Sequence, residues 1–290
     1  MALGQARFAH INANLSDKLS QKKCLIAVHR GSWGGNITQN TIGAYKAAFQ
    51  MGADMVESDV NSTTDGVLYS FHDGHEPDVF GVDKCIKQMS SQEVEALRPL
   101  TSCRQRADTR INRLSEILDY LPGDGLLNID RAWDIFPQVL QELDRHPDAL
   151  HQVVLKAPLK AKAAFEALSA HPVKYMFMPI CYSMQDVEEA LRYADVNVVG
   201  CEIIAFDRDA ELFDDENIRK IHERNLYTWV NAIVLGNIGV RDLFGKLDDD
   251  VSILEDPSLG WGKLFDKHID IIQTDWPALL YQYRRQALGV

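Results

Sequence analysis

Short apolar, β-branched runs alternate along this chain with longer stretches whose apolar residues recur at helical spacing. The runs are CLIAVH (24–29), DMVESDV (54–60), LLNID (126–130), QVVLK (152–156), YMFMPI (175–180), NVVGCEII (197–204), LYTWVN (226–231) and DIIQT (270–274). Between them TIGAYKAAFQMG, WDIFPQVLQELDRH, LKAKAAFEALSA, SMQDVEEALRYA and DDENIRKIHERN carry the period of amphipathic helices. Strands separated by helices imply right-handed βαβ crossovers and a parallel sheet. Eight such strands predict an α/β fold, a closed (β/α)8 TIM barrel forming one domain over 1–290. An open doubly wound sheet is the rival, but no Gly-x-Gly-x-x-Gly follows the first strand. GVLYSFHD (66–73), just after Asp65-Gly66, reads as an extra hairpin strand. Residues 74–112 then break the repeat and are predicted to form a small insertion after the second barrel strand, with one helix near 90–97.

Charge narrows the partners. The formal net charge is -12 and no Lys/Arg-rich block is present. Nucleic acid and anionic membrane both need a basic footprint, so neither is expected. The five cysteines, Cys24, Cys85, Cys103, Cys181 and Cys201, form no Cys-x-x-Cys pair, which argues against a disulfide framework or a structural zinc site. The first residues lack an apolar signal core, and no apolar run of about 18 residues exists for a membrane span. The expectation is a cytoplasmic protein with no stable membrane association.

The candidate chemistry gathers at strand ends, where barrels carry their active sites. His29 and Arg30 end the first strand, and His72 and Asp73 end the hairpin strand. Glu57 and Asp59 lie two apart in the second strand, so both side chains point to one face. Asp130, Lys156 and Asn231 end later strands. Two carboxylates in an apolar strand repel each other and lose hydration unless a cation or donors compensate. Glu57, Asp59 and Asp130 form an all-oxygen set suited to one hard divalent cation, Mg2+ or Ca2+. Two histidines beside such a set suit acid–base work. Each feature also has a plainer reading. A Glu-x-Asp pair can be salt-bridged, a histidine can be a structural hydrogen-bonder, and Asp130 can cap a helix.

HRG (29–31), QNT (39–41), GADMVESDV (52–60) and DGVLYSFHD (65–73) follow one another at the spacing of a known pattern. They resemble the glycerophosphodiester phosphodiesterase family, within the phospholipase C-like phosphodiesterases. Its pattern is His-Arg-Gly, Glu-Asn-Thr, GAD-x-x-E-x-D and DG-x-x-x-x-HD. INRLSEIL (111–118), LYTWVN and IIQTDWP extend the resemblance over most of 24–280. It implies a TIM barrel hydrolase that cleaves phosphodiesters with a divalent metal and two histidines. By match, His29 and His72 become the acid–base pair; the match leaves open which is which, and the expectation taken is His29 as base and His72 as acid. Glu57, Asp59 and Asp130 become metal ligands, and Arg30 holds a phosphate oxygen.

Three positions depart from the pattern. Gln39 replaces its Glu, Ala132 replaces a lysine that Lys156 is placed to substitute for, and HDGHEPDVFG replaces the usual residues after His-Asp. The altered loop makes His75, Glu76 and Asp78 candidates for a substrate's hydroxyls, with Trp33, Trp229 and Trp276 candidates for its apolar face. The expected substrate is a small glycerophosphodiester or sugar phosphodiester, cleaved in some cases through a cyclic phosphate. The alternatives are an agrocinopine-type opine sugar-phosphodiester hydrolase, a phospholipase D-like lyase, and a non-catalytic barrel that binds a phosphorylated ligand.

Overall fold

A computed structural model describes residues 3–235 and 242–290. Among the described residues ten strands are present: β1 Leu25–Val28, β2 Met55–Ser62, β3 Leu68–Ser70, β4 Leu126–Asp130, β5 Val153–Pro158, β6 Met176–Cys181, β7 Asn197–Val198, β8 Gly200–Ile203, β9 Tyr227–Asn231 and β10 Ile271–Thr274. The parallel sheet runs β1-β10-β9-β8-β6-β5-β4-β2 and closes through a β1–β2 pairing. All eight predicted barrel strands are there. The sixth is interrupted at Val199 into β7 and β8, and an added Cβ at Gly200 would meet the Tyr227 ring at 2.4 Å. β3 pairs antiparallel with β2, as the Asp65-Gly66 turn requires.

The helices start where their sequences predict. Thr41 caps Ile42–Gln50 by accepting from the Ala44 N–H at 3.3 Å. Ser183 and Asp186 form a reciprocal capping box for Met184–Leu191. The insertion is richer than predicted. It carries helix Glu76–Phe80 and a 3-10 turn at Ile86–Gln88, besides the expected helix at Ser91–Ala96. It has its own core, in which Phe80, Ile86, Met89 and Val94 pack on Tyr69 and Phe71.

Strand alternation divides the apolar residues into two sets. One set fills the space between sheet and helices. The other fills the barrel interior with Leu25, Ala27, Met55, Leu126, Val154, Met176 and Trp229. Leu3, Phe8, Ile11 and Leu15, from the first residues and the helix Ala13–Lys22, join this interior set and close the barrel's lower end. The opposite end, where the strands finish, is left for chemistry.

A buried ionic knot joins the start of the barrel to its last helix. Asp54 accepts from the Ile26 N–H at 2.9 Å and pairs with Arg284 at 2.5 Å and with Lys22. Arg284 is 1% exposed. Removing the carboxylate strands a buried guanidinium, so Asp54→Ala is expected to lower unfolding free energy by about 3–5 kcal/mol. Urea unfolding checks this, and adding Arg284→Met should restore part of the loss.

Candidate active site

Alternation along the strands decides which side chains reach the open end. β1 sends Leu25 and Ala27 inward, and His29 continues the same face. On β2 the inward set is Met55, Glu57 and Asp59, and on β4 it is Leu126, Asn128 and Asp130. The register pairs Glu57 with Asn128 and Asp59 with Asp130 across adjacent strands. One oxygen from each of Glu57, Asp59 and Asp130 lies within 4.8 Å of the others. The three carboxylates picked out in the sequence are therefore brought together.

Arg30 is bent into this cluster by a left-handed backbone, φ 57°. Its N–H donates to Glu57 Oε2 at 3.0 Å, and its Nε lies 3.0 Å from Asp59 Oδ2. Its Nη1 donates to Gln39 Oε1 at 2.7 Å and lies 3.5 Å from His75 Nε2. Gln39 is thus an orienting acceptor for Arg30, a job an amide does without a charge. Asn40 donates to Asp59 Oδ2 at 2.9 Å and accepts from the Asp59 N–H at 3.1 Å. The Tyr45 hydroxyl steadies the same amide at 3.2 Å. Asn40 carried no role in the sequence reading, although it sits inside the QNT motif.

The two histidines have different partners. His29 Nδ1 lies 3.1 Å from Asp275 Oδ1. Asp275 is held in turn, its N–H donating at 3.0 Å to buried Asp249, which also accepts from Thr274 and Trp261. Burial pushes Asp249 up to about 7, against the pull of these donors. His72 Nδ1 donates to the Asp73 carbonyl at 2.7 Å. Among the described residues neither ring's Nε2 carries a hydrogen bond. Burial, helped by Arg30 and Arg131 and opposed by Asp59, lowers His72 below the usual histidine value. His75 packs edge-on to His72 at 4.6 Å between ring centroids and is lowered likewise, by burial and then by Arg30.

Lys156 is buried deep in the barrel. Burial opposes its charge, but Asp130, Glu202 and Glu57 outweigh that and raise its pKa. Its Nζ lies 2.7 Å from Asp130 Oδ2 and 3.1 Å from Glu202 Oε2. Glu202 was not among the predicted residues. Asn231 donates to Glu202, and the Trp229 indole donates to Asn231 at 2.8 Å.

Two predicted contacts are corrected. Trp229 is fully buried, with Lys156 Nζ 5.7 Å from its ring centroid, so it packs the barrel rather than meeting a substrate. Its parity on β9 puts it one layer below Asn231. Glu76 is also buried, and its two oxygens accept from the Gly74 and Ile86 N–H groups, each at 2.7 Å. It holds the insertion together rather than offering itself to hydroxyls. Trp276 and Trp33 do stand at the rim, 53% and 54% exposed.

The charges and donors fit a divalent cation. Glu57, Asp59, Asp130 and Glu202 face Arg30 and Lys156, an excess of two negative charges. Glu57 Oε1 and Asp59 Oδ1 carry no hydrogen bond from the described residues, while their companion oxygens are held. Burial, with Asp59 and Asp130 nearby, pushes Glu57 well above the usual carboxylate range. An oxygen-only set of this kind suits Mg2+ or Ca2+.

A family model described as the glycerophosphoryl diester phosphodiesterase family matches residues 29–230. A second, described as a domain of unknown function, matches residues 177–284. A glycerophosphodiester phosphodiesterase of Caldanaerobacter subterraneus is 33% identical over 110 residues, a match spanning 37% of this chain and 45% of that relative's length. Among solved structures, a glycerophosphoryl diester phosphodiesterase from Parabacteroides distasonis superposes with a TM-score of 0.72 at 18% identity, covering 95% of this chain and 92% of its own. A Thermotoga maritima glycerophosphodiester phosphodiesterase gives 0.64 at 18% identity, covering 90% and 98%. An Oleispira antarctica phosphodiesterase in complex with the product sn-glycerol-3-phosphate gives 0.64 at 17% identity, covering 92% and 97%. At such identities the structural likeness carries the fold alone. Among the described residues no helix is long and apolar enough to cross a membrane.

Proposed function

We propose that this chain, which belongs to the glycerophosphoryl diester phosphodiesterase family, hydrolyses a glycerophosphodiester by two-histidine acid–base catalysis beside a divalent cation. The observation that carries this reading is the convergence of His29 and His72, both with Nε2 free of partners among the described residues, on three carboxylates and the Arg30 guanidinium. A binding barrel has no need of an acid–base pair. Glu57, Asp59 and Asp130 would hold the cation, Mg2+ or Ca2+, which supplies Lewis-acid polarisation of a phosphoryl oxygen.

The partners of the two rings support distinct roles. The Asp275 carboxylate holds His29 through Nδ1, which fixes the ring and leaves Nε2 for the nucleophile's proton. Among the described residues His72 has only a carbonyl partner, and burial opposes its charge, so it gives up a proton readily. It is the acid that protonates the departing alkoxide as its bond to phosphorus breaks. Arg30, held by Gln39 and Asp59, faces the added negative charge of the transition state. Lys156 offsets the carboxylates from below. The nucleophile is a neighbouring substrate hydroxyl, giving a cyclic phosphate that then opens, or water directly.

The test is 31P NMR on glycerophosphocholine, glycerophosphoglycerol and a sugar phosphodiester, with Mg2+ or Ca2+ and with EDTA. Loss of a glycerol diester signal that EDTA stops is the expected result. No cleavage of any diester with any divalent cation would overturn the reading, and preferential cleavage of the sugar diester would move the substrate toward the opine class.

A further inference from the structure

We infer that Asp249 is a positioning residue for the base: it fixes the turn after β10 so that Asp275 keeps His29 in the tautomer whose Nε2 can take a proton. The inference rests on the hydrolase reading above, in which His29 is the base, and adds to it a residue that touches neither substrate nor cation. Asp249 belongs to the segment between β9 and the helix Trp261–Asp266. Its N–H donates to the Ala232 carbonyl at 2.7 Å, and the Ala232 N–H donates to the Gln273 carbonyl at 2.8 Å. The residue is thereby anchored across the ends of β9 and β10.

The turn it reaches lies between regular elements. β10 ends at Thr274 and the last helix begins at Pro277, so the Asp275 and Trp276 N–H groups need acceptors from elsewhere. The Asp275 N–H donates to Asp249 Oδ2 at 3.0 Å, and the Trp276 N–H donates to Thr274 Oγ1 at 2.9 Å. The Thr274 hydroxyl donates in turn to Asp249, 2.8 Å from Oδ1 and 2.9 Å from Oδ2. The same turn holds His29 at two points. The His29 N–H donates to the Thr274 carbonyl at 3.3 Å, and its ring Nδ1 lies 3.1 Å from Asp275 Oδ1. Among the described residues the Asp275 carboxylate has no other hydrogen-bond partner, so the backbone of the turn is what aims it.

The donors around Asp249 call for a carboxylate. Oδ1 takes the Trp261 indole N–H at 2.9 Å and Oδ2 takes the Asp275 N–H, with the Thr274 hydroxyl between them. An amide would turn its NH2 toward one of the two N–H donors, so only a carboxylate serves both. Asp249 is buried, its hydrogen-bond partners among the described residues are uncharged groups, and the charge that faces it, Asp275, has its own sign. Burial pushes it up to about 7. A charge buried without a cation carries a desolvation cost that a neutral acceptor would avoid. What the carboxylate supplies in return is a fixed Asp275. The tautomer of an imidazole is set by the hydrogen bond at its other nitrogen, so Asp275 at Nδ1 decides whether Nε2 is bare.

The experiment compares native protein with Asp249→Asn and with Trp261→Phe, which removes the indole donor but leaves the acceptor of Asp275 in place. 15N NMR of the histidine rings is recorded well above the value of about 7 to which burial raises Asp249, with the His29 signals identified by their loss in His29→Ala. Native His29 is expected as the Nδ1–H tautomer, and Asp249→Asn should carry it toward the Nε2–H form. On the diester that is cleaved, Asp249→Asn should lower kcat by about 10–100-fold and change KM by less than about threefold, because a misaimed base weakens the transition state and not substrate binding. Trp261→Phe should keep the native tautomer and hold kcat within about threefold, whatever it loses in stability. An unchanged His29 tautomer in Asp249→Asn, or an equal change in both variants, overturns the positioning role and leaves the hydrolase reading intact. Should Asp249→Asn not fold, Asp249→Ser is read by the same criterion. If no diester is cleaved, the hydrolase reading fails, and the tautomer alone decides the role of Asp249.

Discussion

Glu57→Gln is expected to abolish measurable diester hydrolysis and to weaken divalent-cation binding by more than about 100-fold, because even outer partners of a metal ligand are worth 10–100-fold. Glu57 is the most burdened carboxylate of the cluster. It is buried, and Asp59 and Asp130 oppose its ionisation more than Lys156 and Arg30 assist it. A cation is the missing compensation, and the amide removes both the charge and the reason for the cation to bind. The sign of the pH dependence follows. With its pKa raised, Glu57 takes up protons in competition with an arriving cation, so cation affinity falls as pH drops and binding on the acid side releases protons. Calorimetry in buffers of different ionisation enthalpy measures that release, which Glu57→Gln should lose. Asp59→Asn should behave differently. It leaves the buried Arg30 guanidinium without its charge partner, so thermal stability falls as well as activity. Unchanged cation binding in Glu57→Gln would remove the carboxylate triad from the metal reading.

Much of this site was legible because alternation on a strand is a strict rule. Glu57 and Asp59 share a face by parity alone, and Asp130 joins them once β4 pairs in register with β2. The same rule, carried to the later strands, corrects one candidate, Trp229, and reaches one residue the sequence reading passed over, Glu202. Asn231 and Trp229 share the inward face of β9, one layer apart, which is why the indole is buried and only the amide reaches the carboxylates. Glu202 was hidden inside an apparently uniform apolar run, NVVGCEII, where the break at Val199 resets the strand. Asp275 lies one residue beyond β10, past the point where apolar patterning stops, and only barrel closure against β1 brings it to His29.

Loops obey no such parity, and there the reading was weakest. Glu76 sits in a polar stretch that looks solvated, yet its carboxylate replaces the backbone partners that a short turn cannot provide. The first residues were considered only for targeting. Their spaced apolar side chains, Leu3, Phe8, Ile11 and Leu15, instead close the barrel's lower end. That contact is non-local and has no periodic signature of its own.

His29→Ala and His72→Ala are each expected to lower kcat by about 10²–10⁴-fold, the usual worth of a positioned acid or base, while cation binding persists. The two losses should not respond alike to the leaving group. A nitrophenolate departs without a proton, so His72→Ala should lose far less on a nitrophenyl diester than on an alkyl diester, whereas His29→Ala should lose similarly on both. The pH profiles carry a second signature. His72 must hold its proton to act as acid, and burial, Arg30 and Arg131 lower its pKa. Its protonated fraction therefore falls as pH rises through a value below the ordinary histidine pKa of about 6.5. The alkaline limb of kcat/KM should lie on the acid side of neutrality and vanish in His72→Ala. Once an anionic diester is bound, its charge favours the imidazolium, so the same limb in kcat should move to higher pH. Equal losses on both classes of diester in both variants would reverse or dissolve the assignment of base to His29 and acid to His72, and full activity in either variant would remove that histidine from the chemistry.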